Sequence, residues 1–357
     1  MQISKIIDAT LAQIDKLDKT SMASARDRQS TLTKPLGSLG KLEELSILLA
    51  GIFSNPMPKI TKKTVILAAG DHGVVAEGVS AYPQEVTPQM VYNFLAGGAA
   101  INVLSKHAGA DIIVLDAGVA ADLPSHPLLR DVKIGRGTNN IAHGPAMTRD
   151  QAIQCLETGI QASQEAIDNG SDLIACGDMG IGNTTPSSAI TSVITNTDPY
   201  ITTGRGTGVD DSGLEKKVDA IKRAININNP DKNNGLDILT KIGGFEIGVL
   251  AGAMLGAASR NRPVIIDGFI SGAAALIAWT ISRNARNYFI AAHKSVEPGH
   301  TIGLRAMDLD PLLDMEMRLG EGTGAVLAMH IIEAAAKCLT DMATFAEAGV
   351  AGKSDSE

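Results

Sequence analysis

Five short apolar runs, each closing on small or ionisable residues, constrain this chain more than any other feature. "KTVILAAGDHG" ends in Gly70-Asp71-His72-Gly73, "ADIIVLDAGV" at Asp116-Ala117-Gly118 and "SDLIACGDMGIGNTT" at Gly177-Asp178. "RPVIIDGF" ends in Asp267-Gly268 and "RNYFIAAHKSVEPGH" at His293-Lys294-Ser295. Helix-like segments lie between them, among them "QMVYNFLAGGAAINVLSKHAG", "RDQAIQCLETGIQASQEAIDNG" and "FEIGVLAGAMLGAASRN". Continuously apolar strands separated by helices mark parallel strands covered on both faces. The expected fold is therefore α/β: a doubly wound, mostly parallel sheet flanked by helices. Such sheets bind ligands beyond the carboxyl ends of their strands, where these Asp, His, Ser and Gly residues fall.

Upstream, Ile3, Ile6, Ile7, Leu11, Ile14 and Leu17 recur at helical spacing and predict an amphipathic N-terminal helix. "TKPLGSLGKLEELSILLAGI" then reads as a Pro/Gly-rich loop, Lys34 to Gly40, leading into a second helix. At roughly 100–200 residues per domain, the length suits one large domain, alone or with a smaller companion. The tail "AGKSDSE" is expected to be disordered.

Composition excludes several classes. The net charge is −8, basic residues are dispersed, and aromatics make up 3%, so a nucleic-acid surface is not expected. Cys155, Cys176 and Cys338 are far apart and form no CxxC. That argues against a disulfide framework or a zinc site and points to the cytoplasm. "MQISKIIDATLAQIDKLDK" carries Asp8 and Asp15 and does not read as a signal peptide. "PVIIDGFISGAAALIAWT" is broken by Asp267 and glycines, so it reads as core and not as a membrane span.

Several strand ends carry candidate chemistry. Asp71-His72 is either a catalytic pair or the cap of the following turn, since Asp bonds readily to nearby amides. The polar "SAYPQEVTPQ" loop offers Ser80 and Gln89 to a ligand. "GDMGIGNTTPSSAI" joins a strand to a helix start. Gly180, Asn183, Thr184 and Thr185 there could supply amides and hydroxyls to an anion, or simply an ordinary helix cap. "GRGT" occurs at Gly135–Thr138 and at Gly204–Thr207, too short a match to argue a repeat. Arg205 and Gly206 could meet a phosphate, with Lys216 or Lys217 supplying charge. Asp210 and Asp211 do not end an apolar strand, so they make a poor magnesium–diphosphate site. In "HKSVEPGH", His293, Glu297 and His300 have no metal-ligand geometry across Pro298, and Ser295 is the better candidate, for phosphate. Met179, Met315 and Met317 suit either core or a flat apolar ligand.

Glu321 is the hardest residue to place. It sits among Gly320, Gly322 and Gly324, in what would pass for a phosphate loop, although a carboxylate repels phosphate. The preceding "LDMEMRL" is a poor strand, which counts against a dinucleotide-binding turn. Glu321 is either an acid favoured by a helix dipole or a general base held by rigid backbone beside Met317 and Leu319. Burial would raise its pKa and a helix N-terminus would lower it. Local sequence leaves the two open.

The stretches "TKPLGSLGKLE", "AAGDHGVVAEGVSAYPQEVTPQMV", "GDMGIGNTTPSSAI", "GRGTGVDD", "KIGGFEIGVLAGAML", "VIIDGFISGAAAL" and "RLGEGTGA" follow one another between Thr33 and Ala325. In identity and order they resemble the nicotinate-nucleotide–dimethylbenzimidazole phosphoribosyltransferase family of cobalamin lower-ligand assembly. The resemblance implies transfer of phosphoribose from nicotinate mononucleotide to 5,6-dimethylbenzimidazole, with no metal and no cofactor, by a homodimer. It implies a large α/β domain over residues 29–307 and a small helical domain from residues 1–28 and 308–350. Carried over by motif, Glu321 is the catalytic base, and Ser80, Gln89, Met179 and Leu319 line the benzimidazole pocket. Gly206, Lys217 and Ser295 hold the ribose phosphate; Asp178 and, from the anion-binding reading of the adjoining "GIGNTT" loop, Gly180, Asn183 and Thr184 are further phosphoribose candidates. One position departs from the family: its usual "GEMGIGNTT" here carries Asp178, one methylene shorter. Acceptors other than dimethylbenzimidazole, or a non-catalytic nucleotide-binding protein, are the competing expectations.

Overall fold

The computed structural model describes residues 3–351. The tail expected to be disordered therefore lies, from residue 352 onward, outside the described residues. Six strands form one sheet: β1 (Lys63–Gly70), β2 (Ala110–Gly118), β3 (Leu129–Asp131), β4 (Leu173–Met179), β5 (Val264–Ile266) and β6 (Phe289–Ala291). Their order is β3-β2-β1-β4-β5-β6 and every pairing is parallel. The α/β doubly wound expectation holds.

Alternation along each strand feeds two separate cores. Ile66 and Ala68 of β1 join one apolar cluster with the helix Phe245–Ser259, while Val65, Leu67 and Ala69 join the other with the helix Thr323–Asp341. Ile174 and Cys176 of β4 oppose Leu173 and Ala175 in the same way. Two buried faces are why these strands read as unbroken apolar runs. The helix Thr323–Asp341 is long and apolar enough to cross a membrane by composition alone, but Ala325, Val326, Met329 and Ile332 spend its apolar face on the sheet.

All of the helix Phe245–Ser259 is buried, and it crosses the helix Arg149–Asp168 at backbone contact. A Cβ on Gly252 would collide with the Leu156 carbonyl, and one on Gly159 with the Val249 carbonyl. Gly252→Ala is expected to lower the unfolding free energy by about 1–3 kcal/mol. The roughly 1 kcal/mol of helix propensity that alanine offers is smaller than the cost of parting two backbones. A urea melt checks this.

The chain ends pack against each other. The helix Lys19–Thr31 lies on the helices Lys41–Phe53 and Thr323–Asp341, and the Arg28 guanidinium donates to the carbonyls of Leu339 and Met342 at 2.7 and 3.1 Å. The N-terminal segment departs from the single helix expected through Leu17. Its helix stops at Leu11, and Asp18 caps a new one by accepting the Thr20 amide at 2.9 Å. Ile14 is still buried, but from the turn after that helix, its amide donating to the Leu11 carbonyl at 3.2 Å.

Strand order reverses between β1 and β4. The chain builds outward through β2 and β3, returns to β4, and then builds outward the other way. Beyond that reversal the carboxyl ends of two neighbouring strands splay apart, which is where such sheets take ligands. Asp71 and His72 follow β1 there, and Asp178 and Met179 end β4.

Candidate active site

Glu321 stands over this reversal. Gly320, Glu321 and Gly322 have φ of +85°, +62° and +93°, a left-handed turn that a non-glycine residue enters only under strain. Three contacts hold it there. The Glu321 amide donates to the Asp178 carbonyl at 3.2 Å, and the Gly322 amide to Asp267 Oδ2 at 3.2 Å. Gly177 lies so close that any Cβ on it would strike the Glu321 carbonyl. The glycines flanking the acid therefore shape a turn that presents a side chain.

Glu321 is 5% exposed, and its Oε2 accepts the Ile101 amide at 3.2 Å, in the first turn of the helix Ala100–Ala108. Burial and a helix N-terminus thus act on the same group with opposite sign. Burial wins, the Ile101 amide opposes it, and the Asp267 charge adds to it, so the Glu321 pKa lies above the ordinary carboxylate value. Of the two apolar neighbours expected beside it, Met317 is half-buried and Leu319 is 58% exposed at the rim.

Asp178, at the end of β4, is buried and accepts the Asn183 side-chain amide at 2.9 Å. Burial, reinforced by Asp267, holds its pKa well above the carboxylate range. Asn183 occupies the N-cap position of the helix Thr184–Thr195 without a side-chain cap bond, so this is not an ordinary capped start, and its side-chain amide donates to Asp178 instead. Gly180 is wedged against the Gly70 carbonyl, and the Ile181 amide donates to Thr87 Oγ1 at 3.1 Å.

The expected phosphate residues converge from four stretches of chain. Lys217, from the helix Asp211–Asn228, is fully buried and donates to Thr184 Oγ1 at 2.7 Å and to the Gly204 carbonyl at 3.1 Å. Burial drives its pKa down to about 8, against the pull of nearby Glu297. Gly206 has φ +53°, and a Cβ there would stand 2.9 Å from Lys217 Nζ. Its amide donates to Glu297 Oε1 at 2.9 Å, and its carbonyl accepts from Arg318 at 3.1 Å. Ser295 Oγ accepts the Glu297 amide at 3.3 Å. A cleft of about 450 Å³ opens beside them, lined by Gly204, Arg205, Glu297 and Arg318 among others.

The residues expected around the acceptor base are more open. Ser80 Oγ donates to the Tyr82 carbonyl at 3.0 Å and lies 3.4 Å from Thr207 Oγ1, which brings its loop over the second GRGT. Gln89 is exposed on the helix Val86–Ala96, and Met179 is partly buried at the end of β4.

Other candidates go to structural work. Asp71 Oδ2 accepts the Ala120 amide at 2.8 Å, which ties it to the loop after β2 and not to its own following turn as the capping reading expected, whereas His72 pairs with Glu246 at 2.7 Å. Arg205 lines the cleft and pairs with Asp211 and the Val209 carbonyl at its exposed rim. Asp210 caps its own helix by accepting the Gly213 amide at 2.8 Å. The first GRGT binds the end of β1, its Thr138 amide donating to the Asp71 carbonyl at 2.9 Å, so the two copies serve different places. Sequence reasoning assigned no site role to Glu246, Asp267 or Glu297. A lone acid in the otherwise apolar "GFEIGVLAGAML" was the available signal for Glu246, and strand-end position was the signal for Asp267.

Residues 14–350 match the family described as phosphoribosyltransferase. The chain is 58% identical to the nicotinate-nucleotide–dimethylbenzimidazole phosphoribosyltransferase of Roseiflexus sp. strain RS-1, over 98% of this chain and 99% of that one. It is 57% identical to the Chloroflexus aggregans protein of the same name, with the same coverage. Its fold matches the crystal structure of the Thermus thermophilus protein so named at a TM-score of 0.90 and 45% identity, covering 94% of this chain and 100% of that one.

Proposed function

Because the chain belongs to the nicotinate-nucleotide–dimethylbenzimidazole phosphoribosyltransferase family, whose reaction it carries out in cobalamin biosynthesis, we propose that Glu321 is its base and Lys217 its phosphate anchor. Phosphoribose passes from nicotinate mononucleotide to 5,6-dimethylbenzimidazole, giving nicotinate and α-ribazole 5′-phosphate.

The chemistry accounts for a site built around one base. The bond from C1′ to the pyridinium nitrogen breaks, and its electron pair returns to the ring, so nicotinate leaves without protonation. One benzimidazole nitrogen attacks C1′ from the opposite face, turning a β-linkage into an α-linkage. The other nitrogen must lose its proton, and Glu321 accepts it. A second carboxyl acting as general acid, as in glycosidases, has no task here. Holding both rings in line draws on the roughly 7–11 kcal/mol available from orientation. Ser80, Gln89, Met179 and Leu319 flank the acceptor, while Gly206, Ser295, Gly180, Asn183, Thr184 and Asp178 border the phosphoribose.

The observation that carries this reading is the strained turn that buries Glu321 at the sheet reversal, beside Asp178 and its "GIGNTT" loop. Incubating the purified protein with nicotinate mononucleotide and dimethylbenzimidazole should yield nicotinate and an α-linked nucleotide in equal amounts. Absence of both products across a range of pH sinks the assignment. The same reading makes the working form a homodimer, which sedimentation equilibrium checks, and places it in the cytoplasm, where the buried free thiols of Cys155 and Cys176 stay reduced.

A further inference from the structure

We propose that Asp267 is the positioning residue of this active site: its carboxylate fixes the turn that presents Glu321 to the acceptor base. This rests on the reading of Glu321 as the base. Asp267 follows β5 and is fully buried. Its two oxygens reach across to a different part of the chain. Oδ2 accepts the Gly322 amide at 3.2 Å and Oδ1 accepts the Ala325 amide at 2.8 Å. Those amides open the helix Thr323–Asp341, whose N-cap position is Gly322, a residue with no side chain to cap with. Asp267 thus does from another strand what an N-cap side chain does locally. Because it grips the residue directly after Glu321, it also holds the strained φ of +62° in place.

Burial pushes the Asp267 pKa up, while His293 and the amides of Ala325 and Gly322 pull it back towards the ionised form. His293, after β6, stands 3.9 Å behind the carboxylate and supports its charge. The titratable groups facing Glu321 are Asp178 from β4 and Asp267 from β5, with His293 beyond Asp267. Asp267 therefore also makes proton acceptance by Glu321 more favourable, because a like charge nearby penalises the ionised carboxylate.

The test compares parent, Asp267→Asn, Asp267→Glu, Glu321→Gln and the Asp267→Asn/Glu321→Gln double variant, each per folded molecule. Asp267→Asn leaves one acceptor oxygen and sets an N–H against a backbone N–H. It is expected to lower kcat by about 10- to 100-fold, the cost of a misplaced reacting group. The KM for nicotinate mononucleotide should stay within about twofold. With the like charge gone, the acidic limb of the kcat–pH profile should move to lower pH. In the Glu321→Gln background the same change should cost almost nothing more, since its effect runs through Glu321. A full, additive loss in the double variant overturns the proposal, and so does an unmoved acidic limb with parental kcat. Near-parental turnover of Glu321→Gln alone instead overturns the base reading, so the two failures are distinguishable. If Asp267→Asn fails to fold, Asp267→Glu decides. It keeps the charge but shifts the acceptors, so kcat should fall while the acidic limb stays put, and parental kcat overturns the proposal.

Discussion

Glu321→Gln, assayed with both substrates saturating, turns over at least about 10²-fold more slowly than the parent protein. Glutamine matches glutamate in shape and can keep the bond from the Ile101 amide through its carbonyl oxygen, so the pocket survives while the proton acceptor is lost. The left-handed backbone at this position is no harder for glutamine than for glutamate. Removing a buried carboxylate that lies among Asp178 and Asp267 also relieves desolvation and repulsion, so the variant should fold at least as well. The pH dependence separates base from bystander. Burial raises the Glu321 pKa, so the folded enzyme holds its proton at a pH where a free glutamate would have lost it. As pH falls through that raised value the base is protonated and kcat drops. The acidic limb should therefore lie above the ordinary carboxylate range, and the Gln variant should lack it. Turnover near the parental rate, with the limb intact, removes Glu321 from the chemistry.

The strands and their reactive ends were legible because both sheet faces are buried. A continuous apolar run such as "KTVILAAG" is too short for a buried helix, so it marks a strand covered on both sides. Which end of each run carries the polar residues then gives the ligand side of the sheet. Elements that lack such a signature were not legible. Strand β3 is Leu129-Arg130-Asp131, two of its three residues charged and none buried, so it leaves no apolar run to see. The helix Lys19–Thr31 buries Ser21, Ala25 and Gln29, small or polar side chains that show no apolar period. Glu321 marks a different limit. The sequence named the two forces on its carboxyl, but their balance depends on contacts far apart along the chain, with Ile101 on one side and Asp267 on the other. Convergence of Lys217, Thr184, Gly206 and Glu297 is equally non-local: each lies on a separate loop or helix, and only the fold brings them within bonding distance. Motif resemblance bridged that gap for Lys217 and Gly206. It gave nothing for Asp267, whose task is to hold another stretch of chain.

Lys217→Met is expected to lower kcat/KM for nicotinate mononucleotide by about 10²-fold, with the larger part of the loss in KM. A buried charge-assisted hydrogen bond contributes roughly 1.5–3 kcal/mol, and at about 1.4 kcal/mol per tenfold the upper figure gives that loss. Methionine fills nearly the same volume, so the buried stem keeps its packing and the measured change belongs to the ammonium. Lys217 is unusual because it is fully buried with Thr184 Oγ1 and the Gly204 carbonyl as its acceptors, which leaves a third proton for a phosphate oxygen. Burial has already lowered its pKa to about 8, so in the free enzyme it loses its charge as pH rises through that value. An uncharged amine attracts phosphate far less. Hence kcat/KM should decline on the alkaline side with an apparent pKa of about 8, while kcat, measured with the phosphate dianion already in place to hold the proton, should decline only at higher pH. Lys217→Met should lose the alkaline limb of kcat/KM altogether. A variant that keeps this limb, or one whose KM is unchanged, transfers the phosphate to other groups, with Arg318 at the cleft rim the next to test.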